Sequence, residues 1–197
     1  MASIQIPNLG AAIALNGTEQ LEAVQAGTSV RVTTQQIANL ALGSEFGAYG
    51  AFHNTLTQTS VGANQINRVA YNTTTLSDGV SVASGSQITV VNSGIYNFEF
   101  SAQIEKTSGG SDSVDIWVQI NGTNVTDTNT RIALTGGSAK QVAAWNFLIQ
   151  LSAGQYVELC WSSPSAAVQL HAEGPQVTPT RPGIPSIIAS LFMVKPV

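Results

Sequence analysis

The chain has 197 residues and a net charge of −4, with 9% charged and 43% hydrophobic residues. That is long enough for one domain with its own core and too weakly charged to be a disordered chain. Its basic residues stand singly at Arg31, Arg68, Lys106, Arg131, Lys140, Arg181 and Lys195, which argues against the phosphate clamps of a nucleic-acid partner. No apolar run reaches the ~18 residues of a membrane span, so no membrane partner is expected, and one cysteine, Cys160, leaves no intrachain disulfide to form.

The opening residues, MASIQIPNLGAAIALNG, lack the positive region of a secretory signal, and a product of the cytoplasm is expected. The following NGTEQLEAVQAGTSVRVTTQQIANLAL starts as short extended pieces broken at Gly17 and Gly27. Thr33 or Thr34 then offers an N-cap, and Ile37, Leu40 and Ala41 fall at the i, i+3, i+4 spacing of one apolar helical stripe. Gly43 is placed to stop the helix. So small a unit cannot bury its own stripe. Residues 1–42 are therefore read as an arm that docks on a partner or on a copy of itself, with Val24, Val32, Ile37 and Leu40 as its docking residues. Residues 43–54, GSEFGAYGAFHN, read as a Gly/aromatic linker.

From residue 55 to the end the period is two. GVSVAS, QITVV, IYNFEFSAQIE, SVDIWVQI, TNVTD, RIALT, QVAAWNFLIQL, QYVELCW, AVQLHA and SIIASLFMV have strand lengths and strand patterns. Between them stand turn pairs such as Asp78-Gly79, Gly109-Gly110, Asn121-Gly122 and Ala153-Gly154. About ten such strands predict an all-β sandwich, jelly roll or barrel. TPTRPGIPS, with three prolines, predicts a rigid loop. Tyr96, Phe98 and Phe100 alternate on one strand face. With Trp117, Trp145 and Trp161 they are the aromatics available for a core or a subunit interface.

Residues that could carry chemistry are few. His53 and His171 are the two histidines, and a Cys160–His171 nucleophile pair lacks an orienting third group. Strand alternation sets Cys160 beside Tyr156 and Glu158, opposite Val157, Leu159 and Trp161, which favours an inert packed thiol. GGSAK at 136–140 lacks the spacing of a phosphate loop. Asp112, Asp115 and Asp127 could offer oxygen to calcium but match no calcium-loop spacing. No catalytic residue, cofactor or metal ligand is assigned, and the chain is not read as an enzyme.

The residues GIYNFEF resemble the Gly-x-Tyr-x-Phe-x-Phe signature of the complement globular-head domain, a member of the tumour-necrosis-factor-like jelly rolls. IWVQINGTNV resembles that family's strand and Asn-Gly turn, and FLIQLSAGQYVELCW its LxxGxxVxL strand pair, with Gly154, Val157 and Leu159 in place. The last strand resembles the family's, without its Phe-x-Gly. Residues 16–42 are similar to a segment at the front of many bacteriophage fibre and spike proteins, the match being carried by Gly17, Thr18, Glu19, Val24, Gln25, Gly27, Thr33, Thr34 and Ile37. The resemblance implies a jelly roll over 55–197 that assembles as a homotrimer, fastened through residues 1–42 to a capsid, collar or tail protein. A virion structural protein made in the host cytoplasm is expected: a head decoration or collar appendage, or a short fibre. The alternatives are a receptor-binding tail-fibre tip, with a host surface glycan as partner, and a non-viral ligand- or carbohydrate-binding module of the same fold.

Overall fold

A computed structural model of the chain describes residues 16–42 and 47–197, with the side chains of 39–42 left out. Residues 1–15 of the expected arm and 43–46 of the expected linker lie outside the described residues. The chain divides into two compact units, Met1–Glu45 and Phe46–Val197.

The first unit is a hairpin and a helix. Strands β1 (Gln20–Gln25) and β2 (Thr28–Thr33) pair in antiparallel register, with Leu21 opposite Val32 and Ala23 opposite Val30. Ala26 and Gly27 both take positive φ, at 51° and 78°, which is what a two-residue hairpin turn demands. Helix α1 (Thr34–Leu42) follows directly. Thr33 is its cap: Thr33 Oγ1 accepts from the Gln36 N–H at 3.1 Å and Gln36 Oε1 accepts from the Thr33 N–H at 2.8 Å. This reciprocal pair is a capping box. The next two helical N–H groups, of Thr34 and Gln35, donate back to the carbonyls of Glu19 and Gly17.

The second unit is a two-sheet sandwich in which every pairing is antiparallel. Its first strands are β3 (Tyr49–Asn54), β4 (Gln58–Thr59), β5 (Asn67–Arg68), β6 (Thr73–Asp78), β7 (Val80–Ala83) and β8 (Gln87–Val90). The long central strands are β9 (Gly94–Lys106), β10 (Asp112–Ile120), β12 (Thr130–Leu134), β13 (Lys140–Leu151) and β14 (Tyr156–Ser162), with the two-residue β11 (Thr123–Asn124) after β10. The chain ends through β15 (Val168–Leu170), β16 (Gln176–Val177), β17 (Thr180–Arg181) and β18 (Ile187–Pro196).

One sheet runs β12–β10–β14–β8–β7, with β11 beside β10 and β5 beside β14. The other runs β13–β9–β18–β3–β6, with β15 and β4 continuing along the far end of β9. The chain crosses between sheets at β4–β5, β5–β6, β6–β7, β8–β9, β9–β10, β12–β13, β13–β14 and β14–β15. Strands distant in sequence thereby become neighbours, β14 between β10 and β8 and β18 between β9 and β3. This is a jelly roll.

Alternation decides what the sandwich buries. Tyr96, Phe98, Phe100, Ala102 and Ile104 of β9 point inward and meet Val114, Ile116 and Val118 of β10, Val157, Leu159 and Trp161 of β14, and Ile187, Ala189 and Leu191 of β18. Gly94 is a packing glycine: a Cβ there would lie 2.9 Å from the Lys195 carbonyl oxygen, where β18 bulges between Met193 and Lys195.

The expected linker needs correcting. Tyr49–Asn54 is a strand held between β18 and β6. Its glycine reads as a connector in sequence, yet here the Phe52 ring folds over Gly50, where an added Cβ would come within 2.4 Å of it. The short β16 and β17 pair across Thr178-Pro179, whose peptide is cis.

Candidate functional site

Two outer surfaces of the sandwich are unlike ordinary protein surface. The first is the outward face of the β13–β9–β18–β3–β6 sheet. Cross-strand register puts Leu148, Asn97, Phe192 and Tyr49 in one row, and Ala144, Ser101, Ile188 and His53 in another. Leu148 is 66% exposed and Phe192 38%, and Tyr49, Leu76, Val142, Ile188 and Val194 are also exposed. A short polar line runs from Asn97 in the first row to Asn146 and Glu99, paired between the two rows. Asn146 Nδ2 donates to Asn97 Oδ1 at 2.8 Å, and Asn97 Nδ2 donates to Glu99 Oε1 at 2.6 Å. Glu99 is the one charge near the middle of this face.

Charge gathers at the far end of the same sheet. Lys140 Nζ lies 2.8 Å from Glu173 and 3.5 Å from Glu105. His171 Nε2 is 3.2 Å from Glu173 Oε1, and its Nδ1 is 2.9 Å from Glu105 Oε2 at an angle too bent for a hydrogen bond. The Lys140 ammonium, then His171, hold the Glu173 carboxyl below its ordinary range. The cluster ties β13, β9 and the segment after β15 together.

The second surface is a cleft of about 780 Å³ on the outer side of the other sheet, lined by Asp115, Trp117, Asn124, Val125, Thr126, Asp127, Asn129 and Ser162. Asp115 and Trp117 alternate outward from β10, opposite in phase to the buried Val114, Ile116 and Val118. Register brings Ser162 of β14 alongside Asp115. The Asn121-Gly122 turn, with φ of 49° and 76°, returns the chain as β11. The loop behind it is stapled to β10, since the Val125 N–H donates to the Val118 carbonyl at 2.9 Å. Thr128 Oγ1 accepts from the Val118 N–H at 3.2 Å and donates to the Val125 carbonyl at 2.8 Å.

Within the cleft most polar groups have assigned directions. Asn124 Oδ1 accepts from Trp117 Nε1 at 2.7 Å and from Gln119 Nε2 at 2.8 Å. An indole N–H can only donate, so the amide orientation of Asn124 is settled and its NH₂ is the group left for the cleft. Asp115 is neutralised by a two-pronged Arg131 contact at 3.0 and 2.9 Å, a geometry that fixes both side chains.

The structure divides the six aromatics read from sequence. Tyr96, Phe98, Phe100 and Trp161 are buried in the sandwich. Trp145 is half-buried and packs edge-on against Phe100 at 4.8 Å. Trp117 lines the cleft. The aromatics on the apolar outer face are Tyr49 and Phe192, which the sequence reading missed; the phase of Phe192 against Leu191 and Met193 was the signal for it. Of the arm residues, Val24 is 72% exposed, Ile37 is exposed and Val32 half-buried; the Leu40 side chain lies outside the described residues. Cys160 is buried, and burial, then Glu158, pushes its thiol up to about 12. His171 contacts Glu105 and Glu173, so the imagined thiol–imidazole pair is not assembled. Asp112 faces Lys106 at 3.9 Å while Asp115 holds Arg131. Among the described residues no three His, Cys, Asp or Glu side chains are grouped to hold a metal ion.

No family model matches the chain, and no curated protein sequence matches it. Among solved structures, the chain is similar to murine APRIL, crystallised at pH 8.5, with 12% identity over 75% of this chain and 99% of that one and a TM-score of 0.48. It is also similar to the Eiger TNF of S. frugiperda, with 12% identity, 77% and 94% coverage, and a TM-score of 0.45.

Proposed function

We propose that the chain is a structural protein of a bacteriophage particle: a jelly roll that self-associates as a homotrimer and is fastened through its N-terminal unit as a head or collar appendage or short fibre. The observation that carries self-association is the apolar outer face around Leu148, Ile188, Phe192 and Tyr49. A contiguous exposed apolar face of this kind marks an interaction surface. A second copy of the chain is its occupant. The middle of the face carries one charge, Glu99, in keeping with the charge-poor cores of interfaces, and Asn146, Asn97 and Glu99 are joined to one another by two hydrogen bonds. Fastening through the N-terminal unit is supported by the use the fold makes of the phage-like residues. Gly17, Glu19, Thr33 and Thr34 are the residues that lock hairpin to helix, and the apolar Leu21, Val24 and Ile37 remain exposed.

Sedimentation equilibrium of the purified chain tests assembly. The expected mass is that of three chains, and a single-chain mass at high concentration overturns the reading. Copy number in purified particles tests placement, many copies marking a head protein and a few a collar or tail position.

A second reading, a ligand-binding module of the same fold, is favoured by one observation: the cleft around Trp117 and Asn124, where the bonds that occupy Asn124 Oδ1 leave its NH₂ for the cleft.

A further inference from the structure

From the cleft on the β10–β14 sheet we infer a binding site for a neutral saccharide, with the Trp117 ring as platform and Asn124, Asp127, Asn129 and Ser162 as hydroxyl partners. The inference gives the ligand class for the second reading above and does not depend on self-association. A pyranose presents two kinds of surface, an apolar face of C–H groups and a rim of hydroxyls that each donate and accept. A site for it needs an apolar platform flanked by both donors and acceptors.

Trp117 supplies the platform. It stands outward on β10, half-buried, and its Nε1–H is spent on Asn124 Oδ1 at 2.7 Å, so the indole is fixed at its edge. Asn124 supplies a donor aimed by two bonds, because Trp117 and Gln119 both occupy its oxygen. Behind it Gln119 is buried, with its Oε1 lacking a hydrogen-bond partner. Asp127 is the acceptor. It is exposed, with φ of 63°, held where the loop is stapled by Thr128 to Val118. Ser162 adds a hydroxyl that both donates and accepts.

The chemistry excludes other classes. A phosphate or carboxylate ligand would meet Asp115 and Asp127; Arg131 is consumed by Asp115 in a two-pronged contact, and Arg68, in the Trp117–Cys160 row, is bonded to Glu158. For the same reason Asp115 is a poor partner for a metal cation, which leaves Asp127 as the single uncompensated carboxylate. What remains is an uncharged ligand rich in hydroxyls, in a volume of about 780 Å³ that admits more than one sugar ring.

The test is titration of the ¹⁵N-labelled full chain with methyl α-mannoside, methyl β-galactoside, N-acetylglucosamine, rhamnose, maltotriose and chitotriose, with inorganic phosphate and calcium chloride as charged probes. The expected result is saturable shifts of the Trp117 indole N–H and the Asn124 side-chain amide with at least one saccharide and with neither charged probe. Asp127→Asn keeps a residue that tolerates positive φ, and Trp117→Ala removes the platform. Each is expected to weaken binding by about tenfold or more while the amide spectrum outside the cleft is unchanged. Binding of phosphate or calcium in place of saccharide overturns the sugar assignment and leaves the ligand-binding reading standing. No binding by any probe overturns both. Saccharide binding undiminished in both variants places the site elsewhere and overturns the inference.

Discussion

Glu19 holds the N-terminal unit together through one carboxylate. Its oxygens accept from the Thr34 hydroxyl at 2.7 Å, the Asn16 N–H at 2.9 Å and the Gly17 N–H at 3.0 Å. Those bonds, the Thr34 hydroxyl first, draw its carboxyl from 4.5 down to about 2. A depressed carboxyl stabilises the fold above its ordinary range and loses that contribution as pH falls through its folded value. The unit is therefore expected to loosen as pH drops from 4.5 towards 2, read as faster amide exchange at Gly17 and Thr34. Glu19→Gln should remove that acid transition and leave exchange in the β-sandwich untouched. Cys160 shows the opposite displacement. With burial and Glu158 pushing its thiol up to about 12, the thiolate that reacts is scarce at neutral pH. A thiol reagent at pH 8 is expected to find no reactive group in the native chain and one per chain in denaturant.

Strand β9 is the element on which the sandwich depends. It pairs with β13 along one edge and with β18 and β15 along the other, and its inward residues are the centre of the core. Phe98 is fully buried, so Phe98→Ala is expected to cost about 3–5 kcal/mol by chemical denaturation. The alternation of β9, β10, β13 and β18 was legible in sequence because each strand buries one face and leaves most of the other outside, whereas β14, read from its apolar run, is buried on both faces from Val157 to Trp161. Strand β3 was not, since Gly50 is silent in an apolar count and its space is filled by Phe52 from two residues on. Strand β6 was not either: TTTLSD buries no residue, lying at the sheet edge, and hydrophobic pattern has nothing to report there. The cleft escaped for another reason. Its residues come from β10, from the loop after β11 and from the end of β14, and only register makes Asp115 and Ser162 neighbours. One signal existed, the phase of Trp117, which is opposite to that of Ile116 and Val118.

At the scale of the whole molecule, the apolar face and the cleft lie on the outer sides of opposite sheets and share no residue. Phe192 and Leu148 flank Asn97 in one cross-strand row, and a carboxylate placed in that row would be desolvated without a cationic partner when a second copy closes over it. Phe192→Asp and Leu148→Asp are both outward substitutions that leave the buried phase of β18 and β13 intact. Each variant is expected to sediment as a single chain with an unchanged far-ultraviolet circular dichroism spectrum. Mutations without shared partners add rather than couple, so saccharide shifts at Trp117 should be the same in these variants as in the parent. A variant that remains assembled with aspartate at both positions would show that the copies meet through some other surface. Loss of the Trp117 shifts together with assembly would show that the cleft is completed by a neighbouring copy.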